Sequence, residues 1–399
     1  MERIICEFKD KVKIITPNDG YHYFFGYYDM RATGDKINQN HLCHRVKFMD
    51  RLPNADDVCE VGYLKDNVFY KIAETTAWNF QQGAMLQYHP YKEDTVYYNV
   101  YENGEYKTVT HNFKTGEKSY TDMATACISM DGKYGLSVNF GRIFDFRPGY
   151  GYAGYEDPYK DVNVPADDGV FLTDMETGKS KLLISYQDML EESGFTPEHK
   201  ILINHITFSP DNKRFVMLVR NFRVPGTFWS TSMMIGDIDG NFKTVIERTY
   251  VSHYKWVDND KIVLHANLYP ERPKYYNLYV IDVNDGSFEE YDHEYQQQTT
   301  YQTDIHCSLT DDGKYIIGDG YPRDGYRDLV VVDYAKKYSK GEMKDSKVVL
   351  RAKTVIPTCG DIRCDLHARC VFNGEYVSFD STHNDRREIV ILPISEIKV

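Results

Sequence analysis

The sequence lacks the features of a secreted or membrane protein. Glu2, Arg3 and Glu7 interrupt its first residues, which contain no apolar run long enough for a signal peptide or a membrane span. Eight cysteines are scattered over 399 residues, mostly in strand-like runs, and this pattern indicates reduced core thiols and not a disulfide framework. We therefore expect a cytoplasmic protein with no membrane partner.

Positive charge is also scarce. The chain has 47 Lys and Arg against 60 Asp and Glu, which gives a net charge of −13 and a pI near 5.5. This balance argues against a general affinity for nucleic acid. An anionic substrate would need a local basic pocket.

Several catalytic signatures are missing as well. The sequence contains no GxSxG, P-loop, GxGxxG or HExxH motif, so the chemistries that depend on those motifs have no support. Convincing helical periodicity is confined to residues 185–199. The chain is instead rich in aromatic residues, with 34 Tyr and 20 Phe, and these residue types suit β structure.

What the sequence does contain is a repeated strand–turn–strand unit. The clearest copy is HITFSPDNKRFVMLVR from His205, and six further segments follow the same pattern. The residues that open the second strand of each copy are Lys36, Thr95, Lys133, Lys213, Lys261, Lys314 and Glu375. Repeats of this period, each one small antiparallel sheet, are typical of propeller blades. We predict an all-β, single-domain, seven-bladed β-propeller over residues 1–399, closed by an N-terminal strand from 2–8 or 12–16.

The longest spacing between repeats, 80 residues, indicates an insertion between blades 3 and 4 at about 140–200. The insertion carries Arg142, Arg147, Tyr150 and Tyr152 among glycines, and it is the clearest basic cluster in an acidic chain. Long loops in compact repeats are usually functional or disordered, and this one is too aromatic for disorder. We therefore expect it to contribute to a binding site.

Four histidines occupy equivalent positions in successive repeats. Eight residues before the opening of the second strand, four consecutive copies have His205, His253, His306 and His367. First strands line the central channel, so these imidazoles should converge. An unpartnered buried imidazole costs roughly 1–3 kcal/mol, so we expect water, a ligand or a metal to satisfy each one. A divalent ion such as Mn or Zn is one interpretation, and hydrogen bonds to channel water and backbone are the other.

Further candidates lie beside this ring. Gln87 is the equivalent residue of the second repeat. Arg220 ends the second strand of the His205 repeat, where its guanidinium suits a substrate carboxylate or an Asp on the rim. Asn139 takes the corresponding place in the third repeat. Tyr150 and Tyr152 suit an acid or a base near an arginine, although packing is the ordinary role of a tyrosine in so tyrosine-rich a chain.

Two other groups of histidine and cysteine do not predict a site. His41 and His44 have a spacing that suits a helix, and we expect them to be surface or loop residues. Cys364, His367 and Cys370 have a spacing found in metal sites, but residues three apart on a strand face opposite sides. One site formed from all three is therefore not expected.

The repeats resemble those of known propellers. SPDNK, SMDGK and TDDGK are similar to the repeats of TolB-type propellers. HITFSPD, SHYKW, DIHCSLTDDGKYIIGDGYP and DLHARCVFNGEYVSFDSTH resemble the oligogalacturonate lyase-like propellers, and RPGYGY with AWNFQQG is similar to the related seven-bladed ulvan-type lyases. The resemblance extends from about Tyr21 to Ile391.

The resemblance to the oligogalacturonate lyases implies a metal site, since in that family three histidines and a glutamine hold a divalent ion. By position, His253, His306 and His367 resemble the ligands, with Gln302 as the fourth. The chain departs from the family at Ser308, where a second histidine two residues after the first would be expected.

The resemblance also implies catalytic residues. In the oligogalacturonate lyases a histidine and an arginine act on the sugar, and His205 and Arg220 match them by position. In the ulvan-type relatives the metal is structural and catalysis uses His, Tyr and Arg side chains, which directs attention to Arg142, Tyr152 and Arg220.

Together these patterns predict a lyase that cleaves a uronic-acid-containing polysaccharide or oligosaccharide by β-elimination. The expected cofactor is a divalent metal (Mn, Zn or Ca), and the expected partner is an anionic oligosaccharide. The catalytic candidates are His205, Arg220, Tyr152 and Arg142, and the substrate-binding candidates are Asn139, Arg147, Tyr150 and Gln87. Two alternatives stay open: a non-catalytic propeller that binds a glycan or a protein, and a metal-assisted hydrolase or epimerase.

Overall fold

The chain forms seven sheets, each of four antiparallel strands. The computed structural model describes residues 11–34, 40–222, 229–269, 271–272, 275–291, 304–322, 325–335, 346–354 and 360–397. Each of the first six sheets uses four strands that are consecutive in sequence. The predicted all-β, seven-bladed β-propeller is confirmed.

The strand bounds show the regularity of the blades. Blade 1 has strands His22–Phe24, His41–Val46, Cys59–Lys65 and Val68–Thr75; blade 2 has Gln87–Tyr88, Thr95–Glu102, Glu105–Asn112 and Lys118–Tyr120; blade 3 has Thr125–Ile128, Tyr134–Ser137, Gly169–Asp174 and Ser180–Ser185. Blade 4 has Ile201–Phe208, Arg214–Asn221, Thr231–Asp237 and Phe242–Thr249; blade 5 has Val251–Trp256, Lys261–Ala266, Asn277–Asp282 and Phe288–Glu290; blade 6 has Ser308–Leu309, Tyr315–Asp319, Tyr326–Asp333 and Ser346–Lys353. Blade 7 has Arg369–Val371, Tyr376–Ser381 and Glu388–Pro393, with Lys13–Ile14 as its fourth strand.

The ring is closed by a strand from near the N-terminus. Lys13 pairs with Ile391 and Ile14 with Val390 in an antiparallel ladder on the outer strand of blade 7. The predicted closure through residues 12–16 is therefore confirmed, while the other candidate segment, 2–8, lies outside the described residues. The pairing covers an edge of blade 7 that would otherwise be open.

In blades 3, 4 and 6 the turn between the first and second strands follows from a Ser/Thr-x-Asp pattern. In blade 4 the Asp211 carboxylate accepts hydrogen bonds from Ser209 Oγ (2.7 Å) and from the Lys213 backbone N–H (3.3 Å). Asp131 and Asp312 make the same pair of bonds in blades 3 and 6. An aspartate that binds its own backbone two residues later stabilises a tight turn. The second strands of these three blades accordingly begin one residue after their predicted openings, and those of blades 2, 5 and 7 also begin within one residue of theirs.

Blade 1 differs from the prediction. Its first strand is His22–Phe24 and not a segment from Tyr28, and the predicted second-strand opening at Lys36 lies outside the described residues. His41 and His44 are buried on the second strand, so the expectation of surface or loop histidines is wrong. The reason is that neighbouring blades cover both faces of this strand: His41 Nε2 lies 2.9 Å from Ser378 Oγ of blade 7, and His44 Nε2 accepts the Ala84 N–H at 2.9 Å.

The insertion belongs to blade 3. Residues 138–168 separate its second and third strands, and helix Phe140–Phe146 begins this segment with Asn139 as its N-cap. A second helix, Tyr186–Glu192, follows the last strand of blade 3 and lies within the predicted helical stretch. A short 3₁₀ turn, Ile394–Glu396, follows the last strand. Among the residues with described placement, neither helix has the length and apolar character needed to cross a bilayer.

Apolar side chains fill the space between neighbouring blades. Val216 and Leu218 of blade 4 and Ile262 and Leu264 of blade 5, for example, belong to one cluster and are fully buried. Such residues alternate along each strand because successive side chains point to opposite faces of a sheet. Four free cysteines, Cys43, Cys59, Cys307 and Cys364, are buried, as expected for reduced core thiols.

Buried charged side chains also join one blade to the next. Arg220 of blade 4 donates a hydrogen bond to the carbonyl of Val251 in blade 5 (3.1 Å). Asp319 of blade 6 accepts a hydrogen bond from the backbone N–H of His367 in blade 7 (3.0 Å). These groups fix the segments that carry the predicted histidines.

Candidate functional site

The four predicted histidines form a continuous row at the centre of the ring. Ring centroids lie 5.7 Å apart for His205 and His253, 4.1 Å for His253 and His306, and 4.7 Å for His306 and His367. Tyr27 stacks on His205 at 5.4 Å. All four imidazoles are buried. The predicted convergence is therefore present, and the row extends over blades 4 to 7.

The backbone has an uncommon conformation at and beside the histidines of the row. His205, Asp304 and His367 have left-handed φ angles of 75°, 65° and 45°. The ladders of blades 4 and 5 also shift register beside their histidines. Such a conformation costs of order 1–3 kcal/mol for a non-glycine residue, and bulges change the direction of a side chain. The surrounding contacts must therefore hold these residues in place.

A carboxylate fixes the orientation of His253. The Nδ1 atom of His253 lies 2.8 Å from Asp304 Oδ1, and Ser252 Oγ donates to Asp304 Oδ2 at 2.6 Å. Because a carboxylate accepts hydrogen bonds, it favours the tautomer with the proton on Nδ1 and leaves Nε2 as the basic nitrogen. Burial lowers the pKa of His253 to about 4 despite the opposing effect of Asp304, so the imidazole is neutral at neutral pH.

His306, Asp365 and His367 form a compact group at the other end of the row. One ligand atom from each lies within 4.8 Å of the other two. His367 Nδ1 donates to the Gly26 carbonyl (3.0 Å) and His306 Nδ1 lies 3.3 Å from the Asp319 carbonyl, so the Nε2 atoms of both rings are turned to the group. His306 Nε2 is buried without a hydrogen-bond partner and lies 3.6 Å from Asp365 Oδ2, which is itself 2.8 Å from Arg363 Nε. A cation would give His306 Nε2 a partner.

The charges around this group keep Asp365 ionised and stabilise positive charge on His306. Burial alone would lower the pKa of His306, but Asp365 and Asp319 outweigh burial and raise it. Burial alone would raise the pKa of Asp365, but Arg327 (2.6 Å) and Arg363 (2.8 Å) hold it well below its usual range. The carboxylate is therefore charged, and positive charge at His306 Nε2 is stabilised.

Two imidazoles and one carboxylate suit Mn or Zn, whereas Ca prefers an all-oxygen set. The second nitrogen of each ring is held by protein oxygen, as is usual for metal-bound histidine. His306, Asp365 and His367 thus fit a divalent transition metal. The predicted ligand His253 stands beside the group but is not part of it, and Gln302 lies outside the described residues.

Arg220 is a buried cation without an acidic partner. Its guanidinium donates to Asn204 Oδ1 (2.7 Å) and to the carbonyls of Val251 and Ser252, while Nε has no hydrogen-bond partner. Over the described part of the chain, no carboxylate lies within ion-pair distance of it. Burial, reinforced by the positive charge of Arg147, lowers the pKa of Arg220 to about 10. An anion bound here would relieve this penalty.

Two predicted residues of the insertion reach the row. Tyr150 packs edge-on against His205, with ring centroids 5.8 Å apart, and its hydroxyl accepts a hydrogen bond from Arg363 (2.7 Å). The Arg147 guanidinium lies over the Tyr150 ring at 4.2 Å and 3.5 Å from Asp361. The insertion therefore brings a hydroxyl and a second cation to the His205 end of the row.

Arg142 has a different environment from the one predicted. All of its nitrogens donate to protein groups, among them the Asp157 carboxylate (3.2 Å) and the carbonyls of Ile201 (2.8 Å) and Asn163 (2.7 Å). It is fully buried. The predicted catalytic role needs a free donor, and this guanidinium has none to offer because it holds the insertion to blade 4.

Tyr152 and Asn139 are likewise used by the fold. The Tyr152 ring stacks on Phe140 at 4.3 Å, its hydroxyl accepts from Asn99 (3.0 Å), and burial raises its pKa. Asn139 caps helix Phe140–Phe146 and donates to Asp157 (2.8 Å). The predicted catalytic and substrate-binding roles of these two residues are not favoured, because their polar atoms already have partners.

Gln87 lies apart from the histidines. It lines a cavity of about 190 Å³ with Lys255, Trp256 and Pro210, next to the turns that follow the first strands. Its amide contacts the sulfur of Met30 (3.1 Å). Gln87 lies on the first strand of blade 2, as predicted, but its side chain faces this cavity.

Several residues of the site were not predicted from the sequence. They are Tyr27, Asp304, Asp319, Arg327, Arg363 and Asp365. A signal for two of them was available, because DIH and DLH place Asp304 and Asp365 two residues before His306 and His367. On an extended strand such residues face the same side. The arginines and Tyr27 come from segments that no local pattern relates to the histidines.

Comparison with solved structures places the fold among oligogalacturonate lyases. A manganese complex of oligogalacturonate lyase has a TM-score of 0.65 and 15% identity over 98% of this chain and 96% of that one. An oligogalacturonate lyase from Vibrio parahaemolyticus has a TM-score of 0.65 and 14% identity over 100% of this chain and 97% of that one. The predicted resemblance to this family of propellers is confirmed at the level of fold.

The same ring also occurs in proteins of other activity. A puromycin-hydrolyzing peptidase of Mycobacterium tuberculosis has a TM-score of 0.52 and 11% identity over 97% of this chain and 56% of that one. No family model and no curated protein matches the sequence. The fold alone therefore does not determine the reaction, and the side chains of the site must do so.

Proposed function

We propose that the chain is a lyase that cleaves a uronic-acid-containing oligosaccharide by β-elimination. The observation that supports this most is the buried Arg220 guanidinium, which has no carboxylate partner among the described residues and stands beside a row of imidazoles. β-Elimination needs a cation that neutralises the C6 carboxylate, a base for the C5 proton, and an acid or water for the leaving O4. The described residues offer a group for each requirement.

Arg220 is the proposed carboxylate ligand. Its unpartnered Nε–H would donate to a carboxylate oxygen of the sugar, and a charge-assisted bond of this kind is stronger than a neutral one. Arg147 adds positive charge nearby. Neutralising the C6 carboxylate makes the C5 proton more acidic, because the carbanion formed there is delocalised into the carboxyl group.

His205 is the proposed base. Burial, followed by the positive charge of Arg220, lowers its pKa well below the usual value, so the imidazole is unprotonated at neutral pH. Its buried Nδ1 has no hydrogen-bond partner. As His205 takes the C5 proton, the C5–H electrons form the C4=C5 double bond and the C4–O4 bond breaks. The Tyr150 hydroxyl, which Arg363 binds, or a water protonates the leaving oxygen.

The proposed metal ligands are His306, Asp365 and His367. A divalent Mn or Zn held by them would supply additional positive charge to the site. Asp365 contributes a charged oxygen, and the two histidines contribute nitrogens whose orientation is set by Asp319 and Gly26. His253, fixed by Asp304, lies between this group and His205 and is proposed to contact the sugar.

The test is direct. Purified protein is incubated with oligogalacturonate and with glucuronate-containing oligosaccharides, with added Mn²⁺ and after chelation. We expect a steady rise in ultraviolet absorbance from the unsaturated uronate product, and none with a neutral oligosaccharide of equal length. Absence of a rise with every uronate oligomer in the presence of metal would contradict the proposal. Binding without product would favour a non-catalytic propeller, and saturated products would favour a hydrolase.

A further inference from the structure

Asp319 contacts both histidines of the proposed metal group, although they belong to different blades. Its Oδ1 accepts the backbone N–H of His367 (3.0 Å) and lies 3.4 Å from His306 Nδ1. Its Oδ2 accepts the N–H of Leu366 (2.9 Å) and lies 3.4 Å from Arg327. The side chain is fully buried. One carboxylate therefore contacts the His306 ring on one side and the backbone of Leu366 and His367 on the other.

The backbone contact matters because His367 is in the left-handed region, with φ of 45°. This conformation is unfavourable for a histidine and persists only where surrounding contacts require it. Two N–H groups, of Leu366 and His367, point at the same carboxylate. Without the carboxylate, the peptide could relax and the His367 ring would turn away from His306 and Asp365.

The ring contact matters for the tautomer of His306. The carbonyl and the carboxylate of Asp319 both lie near Nδ1, at 3.3 and 3.4 Å, and both are acceptors. They favour a proton on Nδ1 and leave Nε2 available to a metal. The same residue thus sets the donor atom of one ligand and the direction of the other.

Asp380, five residues after Glu375, occupies the equivalent place in blade 7, as Asp319 does after Lys314. It accepts the N–H groups of Phe25 and Gly26, so an aspartate at this position has a general role in joining blades. Of these two aspartates, only Asp319 combines this role with contacts to two proposed ligands. A purely structural role and a positioning role therefore make different predictions.

We infer that Asp319 is the positioning residue of the metal centre, holding the His306 ring and the His367 backbone in the geometry that binds a divalent ion. The inference rests on the proposed metal site. Asp319 does not contact the ion or the substrate; it acts through the two histidines. Loss of such a supporting group typically lowers metal affinity by about 10- to 100-fold.

The test compares Asp319→Asn with Asp157→Asn in the full chain. Asp157 is a matched control because it is also fully buried, also pairs with one arginine (Arg142, 3.2 Å) and also accepts a backbone N–H, but it supports the insertion. Affinity for Mn²⁺ alone is measured by the electron paramagnetic resonance signal of the free ion, together with the melting temperature. We expect both variants to lose stability and only Asp319→Asn to bind Mn²⁺ about 10- to 100-fold more weakly.

Equal Mn²⁺ affinity in the two variants would overturn the inference while leaving the metal site intact. If the unsubstituted protein does not bind Mn²⁺, the proposed metal site itself fails and the inference fails with it. If Asp319→Asn does not fold, Asp319→Glu is measured in its place. This substitution keeps the charge near Arg327 but moves the oxygens away from the His367 N–H. Unchanged Mn²⁺ affinity in that variant, compared with Asp157→Glu, would also overturn the inference.

Discussion

Arg142 and Arg220 are both buried guanidiniums, yet their surroundings are opposite. Arg142 pairs with Asp157 and uses its remaining donors on carbonyls, so its charge and its hydrogen bonds are satisfied within the fold. Arg220 has amide and carbonyl partners, no carboxylate among the described residues, and a bare Nε. Since an unpaired buried charge is unfavourable, Arg220 is the one that needs a ligand. The comparison separates an arginine that stabilises the fold from one suited to binding.

The largest expected effect is a loss of stability when Arg142 is replaced. Arg142→Met would leave Asp157 buried without its cation, and breaking such a pair costs about 3–5 kcal/mol. Urea unfolding should show this loss, while the rate of product formation per folded molecule should stay close to the unsubstituted value. A large fall in that rate with unchanged stability would reverse the assignment of the two arginines.

Arg220→Met should show the opposite pattern. We expect the kcat/KM for a uronate oligosaccharide to fall by about 10²- to 10³-fold, the usual consequence of removing one donor to developing charge. The free energy of unfolding should change less than in Arg142→Met, because loss of an uncompensated charge offsets lost hydrogen bonds. Arg220→Lys is the sharper control: a lysine keeps the charge but not the planar donors, so activity should still be low.

Equilibrium binding refines the comparison further. A uronate monosaccharide should raise the stability of the unsubstituted protein, by about 2.7 kcal/mol at a hundred times its dissociation constant. Unfolding midpoints are measured with galacturonate and with the neutral sugar galactose. Arg142→Met should retain the stabilisation and Arg220→Met should lose it; equal stabilisation of both variants would show that the carboxylate binds elsewhere.

The smallest effect extends the comparison to His44, which, like Arg142, has a structural role between blades. Burial lowers its pKa to about 3, so below pH about 6.5 the unfolded chain binds a proton that the folded chain does not. Stability should therefore fall as the pH is lowered, by at most about 1.4 kcal/mol per pH unit from this group. His44→Gln, which can still accept the Ala84 N–H, should reduce the slope of unfolding free energy against pH; an unchanged slope would contradict this.

Much of the fold could be predicted because its information is local. The Ser/Thr-x-Asp turns recur in the sequence, and they precede the start of the second strands in blades 3, 4 and 6. Blade 1, whose predicted second-strand opening lies outside the described residues, has its first strand earlier in the sequence than predicted. Its two buried histidines have their partners in blades 7 and 2, which no local spacing reveals.

The site was only partly predictable for the same reason. Four histidines at one repeat position were sufficient to predict their convergence. Their partners depend on contacts between segments far apart in sequence: Arg363 reaches Tyr150, and Gly26 accepts from His367. The sequence also singled out Arg142, because it lies in the basic insertion. Its charge is neutralised by Asp157, fifteen residues later, through a turn that the sequence pattern does not specify.

The pairing of Lys13 and Ile14 with the strand Glu388–Pro393 has a consequence for synthesis of the chain on the ribosome. Six blades can assemble as they emerge, because each uses consecutive segments. The seventh cannot, since its outer strand is made before blades 1 to 6 and its other three strands after them. The early segment must stay available, without pairing to another sheet or to a second chain, until translation of the final strands allows the circle to close.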